Sequence, residues 1–157
     1  MLLFGFILLN LFVASSGDSL CQKNEQVVFS FLTSKKKMVS VCSEKDDRYL
    51  VYRYGTANNI ELQYPAVLDE TSWQQFELYS YFRGGGVENA GVDEKHLSFT
   101  NEGVTYVLFE DYQAIGNKVE ISIWVTSEQR ATTLRGLLRS KIGDLSRIEG
   151  KVAKADF

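Results

Sequence analysis

Between residues 25 and 126, apolar and polar side chains alternate with a period of two, the pattern of half-buried β-strands. Short runs rich in Val, Ile, Tyr and Phe are separated by turn-forming Gly, Asn and Asp residues. The alternation predicts eight strands, at 25–32, 37–43, 48–54, 60–64, 75–82, 95–100, 104–112 and 118–126. Short strands joined by tight turns predict an all-β fold, either an antiparallel barrel or a sandwich.

Residues 128–157 follow a different pattern. Apolar residues recur there at helical spacing, at Leu134, Leu137, Leu138, Ile142, Leu145, Ile148 and Val152. This spacing predicts one C-terminal helix over 134–149, packed against the strands, with a membrane-surface or partner helix as the alternative. Gly136 and Gly143 weaken the prediction, because glycine disfavours a helix. The length predicts a single domain over 17–157.

Residues 1–16 carry no charged side chain and end in Ala14-Ser15-Ser16. An apolar run before such small residues is typical of a signal peptide, and it is too short to span a bilayer. We therefore expect a periplasmic or secreted protein without a membrane span. Cys21 and Cys42 would then enter an oxidising compartment, where a disulfide between them would close a loop of about 20 residues.

One hairpin can be registered from the sequence. Pairing Tyr54 with Ile60 across residues 55–59 places the apolar residues of both strands on one face. On the other face the same register places Arg53 opposite Glu61, where the two side chains would form a cross-strand ion pair.

Residues that carry catalytic chemistry are scarce. His96 is the single histidine and lies at a charged strand entry, so we expect a surface residue rather than a catalytic one. Neighbouring carboxylates in a strand point to opposite faces, so they cannot form the carboxylate pair of a glycosidase. The Arg83–Gly86 segment lacks the Lys-Ser/Thr of a phosphate loop, so we do not expect it to bind phosphate in that way. A pI of 5.2 is unlike that of a nucleic-acid binder. We expect a non-enzyme without a metal or cofactor.

One strand presents an aromatic and basic row. If Phe76, Leu78, Ser80 and Phe82 point inward, then Tyr79, Tyr81 and Arg83 point outward, beside a glycine-rich loop and Asn89. Tyr and Arg supply much of the energy of protein interfaces. The candidate binding residues are Tyr79, Tyr81, Arg83, Asn89 and Arg53; the alternative is that they are ordinary exposed or helix-covered side chains.

Several segments resemble a family of small secreted proteins from Gram-negative bacteria with no assigned activity. They are Val41-Cys42-Ser43, the Tyr49–Gly55 and Ile60–Pro65 segments, Arg83-Gly84-Gly85 with Asn89, and Leu97-Ser98-Phe99. The resemblance implies export and a β-rich fold, and it carries over no catalytic residue. The family pattern also has cysteines near positions 31 and 134, where this chain has Phe31 and Leu134.

A looser, architectural resemblance is to periplasmic lysozyme inhibitors, which are small antiparallel barrels with a disulfide. Their Ser-Gly-x-x-Tyr inhibitory loop is absent from this chain. Residues 1–127 carry ten basic and sixteen acidic side chains, a net charge that favours a cationic partner. We expect a binding module for an envelope protein or a cell-wall glycan, with an inhibitor of lysozyme-type hydrolases as the alternative. The sequence leaves the oligomeric state open.

Overall fold

A computed structural model describes residues 18–156, so the expected signal peptide, residues 1–16, lies outside the described residues. Eleven strands of this range form two sheets. The five-stranded sheet contains, in spatial order, Ile142–Gly143 (β10), Glu25–Leu32 (β1), Met38–Glu44 (β2), Leu50–Thr56 (β3) and Asn59–Tyr64 (β4). The six-stranded sheet contains Ala153–Lys154 (β11), Glu77–Arg83 (β5), Val92–Asn101 (β6), Val104–Gln113 (β7), Lys118–Thr126 (β8) and Ala131–Arg135 (β9).

The predicted all-β fold is confirmed, and the architecture is a sandwich rather than a closed barrel. The strands β1 to β8 match the eight predicted segments to within a few residues, because each carries apolar side chains on the face that packs against the core. The sheets are antiparallel except where β11 pairs with β5. Their inner faces share one apolar core, which includes Phe29, Phe31, Tyr52, Phe76, Leu97, Phe99, Leu108 and Ile123.

The β3–β4 hairpin forms, but its predicted register is wrong by two residues. Tyr54 lies opposite Leu62 rather than Ile60, and Arg53 lies opposite Gln63 rather than Glu61. A tight turn joins the strands, and the register is shifted by a bulge at Gly55, just before this turn. The φ of 145° at Gly55 and its close approach to the Asn59 backbone leave no room for a side chain. Leu62 and Tyr64 still pack against the core, whereas Ile60, which pairs with Gly55 beyond the bulge, is 42% exposed.

The single helix predicted over 134–149 is wrong. The segment contains the end of β9, the 3₁₀ helix Leu138–Ser140, β10, and the 3₁₀ helix Leu145–Ile148. The reason lies in the two glycines. A Cβ on Gly136 would lie 2.6 Å from the Phe31 ring, and one on Gly143 would lie 2.0 Å from the Val28 carbonyl oxygen. Both glycines let this segment approach β1 closely, and its residues Leu145 and Ile148 are buried in the core.

The outer face of the five-stranded sheet is buried beneath residues 18–22, and we call it the covered face. Cys21 is disulfide-bonded to Cys42 of β2, which confirms the predicted disulfide. The Leu20 backbone N–H donates to the Ser40 hydroxyl oxygen at 2.9 Å, and Ser40 and Ser30 share a further hydrogen bond of 2.8 Å. The N-terminal segment is thereby held along the sheet by a covalent bond and by hydrogen bonds.

Candidate functional site

The outer face of the six-stranded sheet, which we call the open face, exposes aromatic and acidic side chains. The register of β5 to β8 sets these residues in rows that run across the sheet. One row is Tyr79, His96, Phe109 and Ser122, and the next is Tyr81, Glu94, Asp111 and Glu120. Tyr81 is 42% exposed and Trp124, two rows away, is 38% exposed. The face therefore offers large apolar contact area beside negative charge.

The aromatic row is held by ring contacts. Tyr79 stacks on His96 with ring centroids 5.1 Å apart, and His96 packs at 4.5 Å against Phe109. The His96 Nε2 atom lies 2.9 Å from Asp111 Oδ1. The His96 side chain lies on the outer face of the sheet and is only 13% exposed. It is mostly covered because Tyr79 and Phe109, its neighbours on the two adjacent strands, pack their rings against it.

The acidic row brings three carboxylates into adjacent positions. Glu94, Asp111 and Glu120 lie directly opposite one another on β6, β7 and β8. Side chains in such positions have Cβ atoms about 4.5–5.5 Å apart, and like charges there are destabilising. Among the ion pairs of the described residues, none includes Glu94 or Glu120, and Asp111 pairs only with His96. Glu94 and Glu120 are thus left without an ion-pair partner among the described residues.

The candidate residues Tyr79 and Tyr81 lie on the open face, on the side of β5 opposite the buried Leu78. Arg83 and Asn89 instead donate hydrogen bonds to carbonyl groups of the neighbouring loop. The Arg83 guanidinium donates from Nε and Nη2 to the Ala90 carbonyl at 3.1 and 2.7 Å, and Asn89 Nδ2 donates to the Gly84 carbonyl at 2.7 Å. These bonds shape the glycine-rich loop at the edge of the face.

Arg53 lies far from this row, on the covered face, where it is 1% exposed. Its guanidinium binds Glu25 with two hydrogen bonds, from Nη1 to Oε2 at 2.6 Å and from Nη2 to Oε1 at 2.9 Å. It also donates to the Leu20 carbonyl and to Gln63. The predicted partner, Glu61, pairs with Lys37 instead. The structure therefore separates Arg53 from the other candidate binding residues.

Burial by itself would raise the pKa of the Glu25 carboxyl. The hydrogen bonds from Arg53 and from the Gln22 backbone N–H, together with the Arg53 charge, outweigh burial and hold that pKa below its ordinary value. Cys21, Glu25 and Cys42 are the one group of three or more His, Cys, Asp or Glu residues, among those the structure describes, whose ligand-type atoms lie within 4.8 Å of one another. Since both sulfurs are in the disulfide and the carboxylate is bonded to Arg53, this group belongs to the structure of the covered face.

Sequence reasoning missed the acidic row. Glu94 precedes the predicted start of its strand, whereas β6 begins at Val92 and gives Glu94 an outward position. Of the neighbours Glu110 and Asp111, the first is buried and the second faces outward, as strand alternation requires. The signal available in the sequence was the alternation within each strand, which shows which carboxylates of that strand point outward. The alignment of three carboxylates depends on the cross-strand register, which the sequence does not show.

No family model, curated protein or solved structure matches this chain. Among residues 18–156, no helix has the length and apolar character needed to cross a membrane. Function is therefore inferred from the chain's own residues and their geometry.

Proposed function

We propose that this chain is a non-catalytic binding module of the bacterial envelope, and that it binds a basic partner protein on the open face. The observation that carries the proposal is the row of Glu94, Asp111 and Glu120. Repulsion between these carboxylates costs stability in the free protein, and a partner that places Lys or Arg side chains over them would relieve it. Tyr81, which lies opposite Glu94 in the same row, supplies apolar contact beside the charge, and Trp124 adds exposed apolar surface two rows away.

A non-catalytic role is supported by the environment of the groups that could react. His96 is the single imidazole of the chain, and its ring is flanked by Tyr79 and Phe109. Both cysteines of the sequence are in the disulfide, so neither offers a thiolate.

Export is supported by that disulfide. Structural disulfides persist in oxidising compartments such as the periplasm and the exterior, and they are rare in the cytosol. The apolar, uncharged residues 1–16 are consistent with a signal peptide that directs this export.

A second candidate is an inhibitor of lysozyme-type cell-wall hydrolases. Such hydrolases are cationic, and the acidic row carries the complementary negative charge. This chain lacks the inhibitory loop, so the acidic row would take its place as the contact. In this form of the proposal the open face, rather than a loop, would contact the hydrolase.

The test is a binding titration with a purified cationic lysozyme as the probe and purified peptidoglycan as a second probe. The variant Glu94→Gln/Glu120→Gln removes two charges from the open face. Its matched control, Glu70→Gln/Glu149→Gln, removes two exposed charges from the ends of 3₁₀ helices elsewhere. We expect the first variant to bind lysozyme about tenfold more weakly and the control to match the wild type. The wild-type affinity should fall as salt is raised, since exposed charges are screened.

Lysozyme binding that is equally strong in both variants would overturn the proposed face. Binding to peptidoglycan alone, lost in Tyr81→Ala but unaffected by the charge variant, would replace the basic protein by a glycan. Steady turnover of peptidoglycan would overturn the non-catalytic role.

A further inference from the structure

At one end of the sandwich the two sheets leave a cleft between them. Its inner part has a volume of about 250 Å³ and is lined by Tyr52, Tyr54, Glu61 and Leu62 from one sheet and by Tyr106, Ile123, Val125 and Leu134 from the other. An adjoining space of about 430 Å³ shares part of this lining and adds residues of the turns at the same end, including Lys35 and Arg130. The larger space alone reaches the size range of small-molecule sites, about 300–1,000 Å³.

The inner part of the cleft combines apolar walls with the hydroxyl of Tyr52. Tyr52 is 1% exposed and lines the cleft; its hydroxyl makes none of the hydrogen bonds described within residues 18–156 and is reached from the cleft rather than sealed off. Its ring is fixed by contacts with Phe99, at 4.9 Å between centroids, and with Tyr106, at 6.3 Å. Burial raises the pKa of this hydroxyl well above its ordinary value, so it stays protonated and remains a donor. This donor is therefore available to an acceptor that enters the cleft.

The mouth of the cleft is cationic. Lys35, in the β1–β2 turn, and Arg130, in the β8–β9 turn, are exposed. Neither takes part in an ion pair of the described residues. The one carboxylate of the inner lining, Glu61, is neutralised by Lys37. The cleft therefore presents positive charge at its opening and apolar surface behind it.

We propose that this cleft binds a small amphipathic anion, whose acidic group lies toward Lys35 and Arg130 and whose apolar part lies between the sheets. The Tyr52 hydroxyl donates a hydrogen bond to an oxygen of the ligand. Leu62, Ile123 and Leu134 supply the apolar contact. The site is separate from the open face, because its lining side chains belong to the inner faces and the turns.

A matched pair of fluorescent probes tests the proposal. The anionic probe is 8-anilinonaphthalene-1-sulfonate, and the neutral analogue is N-phenyl-1-naphthylamine, which lacks the sulfonate. We expect saturable binding of the anion to the folded wild-type protein. In Lys35→Gln/Arg130→Gln its affinity should fall about tenfold, while the neutral analogue binds as before. The control Lys118→Gln/Arg139→Gln, which removes two exposed cations elsewhere, should leave both affinities unchanged.

Tyr52→Phe tests the role of the Tyr52 hydroxyl independently of the two cations at the mouth. It should weaken binding of the anion about tenfold while the melting temperature of the free protein stays the same or rises, because the removed group has no partner there. Equal affinity for the two probes, or an anion affinity that is unchanged in both cleft variants, would overturn the proposal. A marked fall in melting temperature in Tyr52→Phe would also count against it, since the hydroxyl would then serve the fold.

Discussion

The covered face and the open face are built on the same alternating strands, yet they treat charge in opposite ways. On the covered face the Arg53 guanidinium and the Glu25 carboxylate are fully buried, and each is satisfied by the other and by nearby groups. On the open face three carboxylates lie in one row with a single histidine as their partner. Charge that is compensated within the chain serves the fold. Charge that is left uncompensated is available to another molecule.

The largest expected effect comes from breaking the buried pair. Arg53→Met leaves the Glu25 carboxylate buried without its partner, and we expect a loss of about 3–5 kcal/mol in the free energy of unfolding. Urea denaturation measures it. Lys37→Met, which breaks the exposed pair with Glu61, is the control and should cost much less. Similar losses in the two variants would contradict the distinction between the faces.

Removing the disulfide should have the next largest effect. The variant Cys21→Ala/Cys42→Ala releases residues 18–22 from the sheet and opens a loop of 21 residues in sequence separation. On the loop-entropy model this costs about 3 kcal/mol of the free energy of unfolding. Differential scanning calorimetry should show a lower melting temperature, with native-like near-UV circular dichroism before the transition. An unchanged melting temperature would show that the hydrogen bonds alone hold the covering segment.

The buried Glu25–Arg53 pair of the covered face should make the stability of the protein depend on acid. Because the pKa of Glu25 is below its ordinary value in the folded state, its contribution to stability is present above the unfolded pKa of about 4.5 and is lost as pH falls through the folded pKa. As pH falls below the unfolded pKa of about 4.5, the free energy of unfolding of the wild type should therefore fall more steeply than that of Glu25→Gln/Arg53→Met. Parallel curves would contradict this assignment. Glu44, with a pKa of about 2, titrates in both proteins and cancels from the comparison.

The smallest expected effect has the opposite sign. Glu120→Gln on the open face should raise the free energy of unfolding by about 0.2–0.5 kcal/mol, because it removes a like-charge contact with Asp111. The gain should shrink in high salt, where the repulsion is screened. Urea denaturation at low and high salt measures both values. A loss of stability at low salt would mean that the row is compensated within the chain after all.

The fold could be predicted from the sequence where each segment has a strong local signal. The strands β1 to β8 alternate with a period of two, and their turns contain residues that favour turns. The outward positions of Tyr79 and Tyr81 follow from the same alternation. In residues 128–157 the spacing of the apolar residues fits an amphipathic helix. The close contacts of Gly136 and Gly143 with β1 exist only in the folded chain, so the sequence could not exclude the helix.

The sequence by itself determined which residues alternate, which are charged, and that two cysteines and an aromatic row are present. Tertiary structure alone decided that Arg53 meets Glu25, 28 positions away, rather than Glu61. It also decided that Glu94, Asp111 and Glu120 form one row. The physical reason is that periodicity is a property of each strand alone. Partners across a sheet depend on strand order and register, which are set by the packing of the whole core and by bulges such as the one at Gly55.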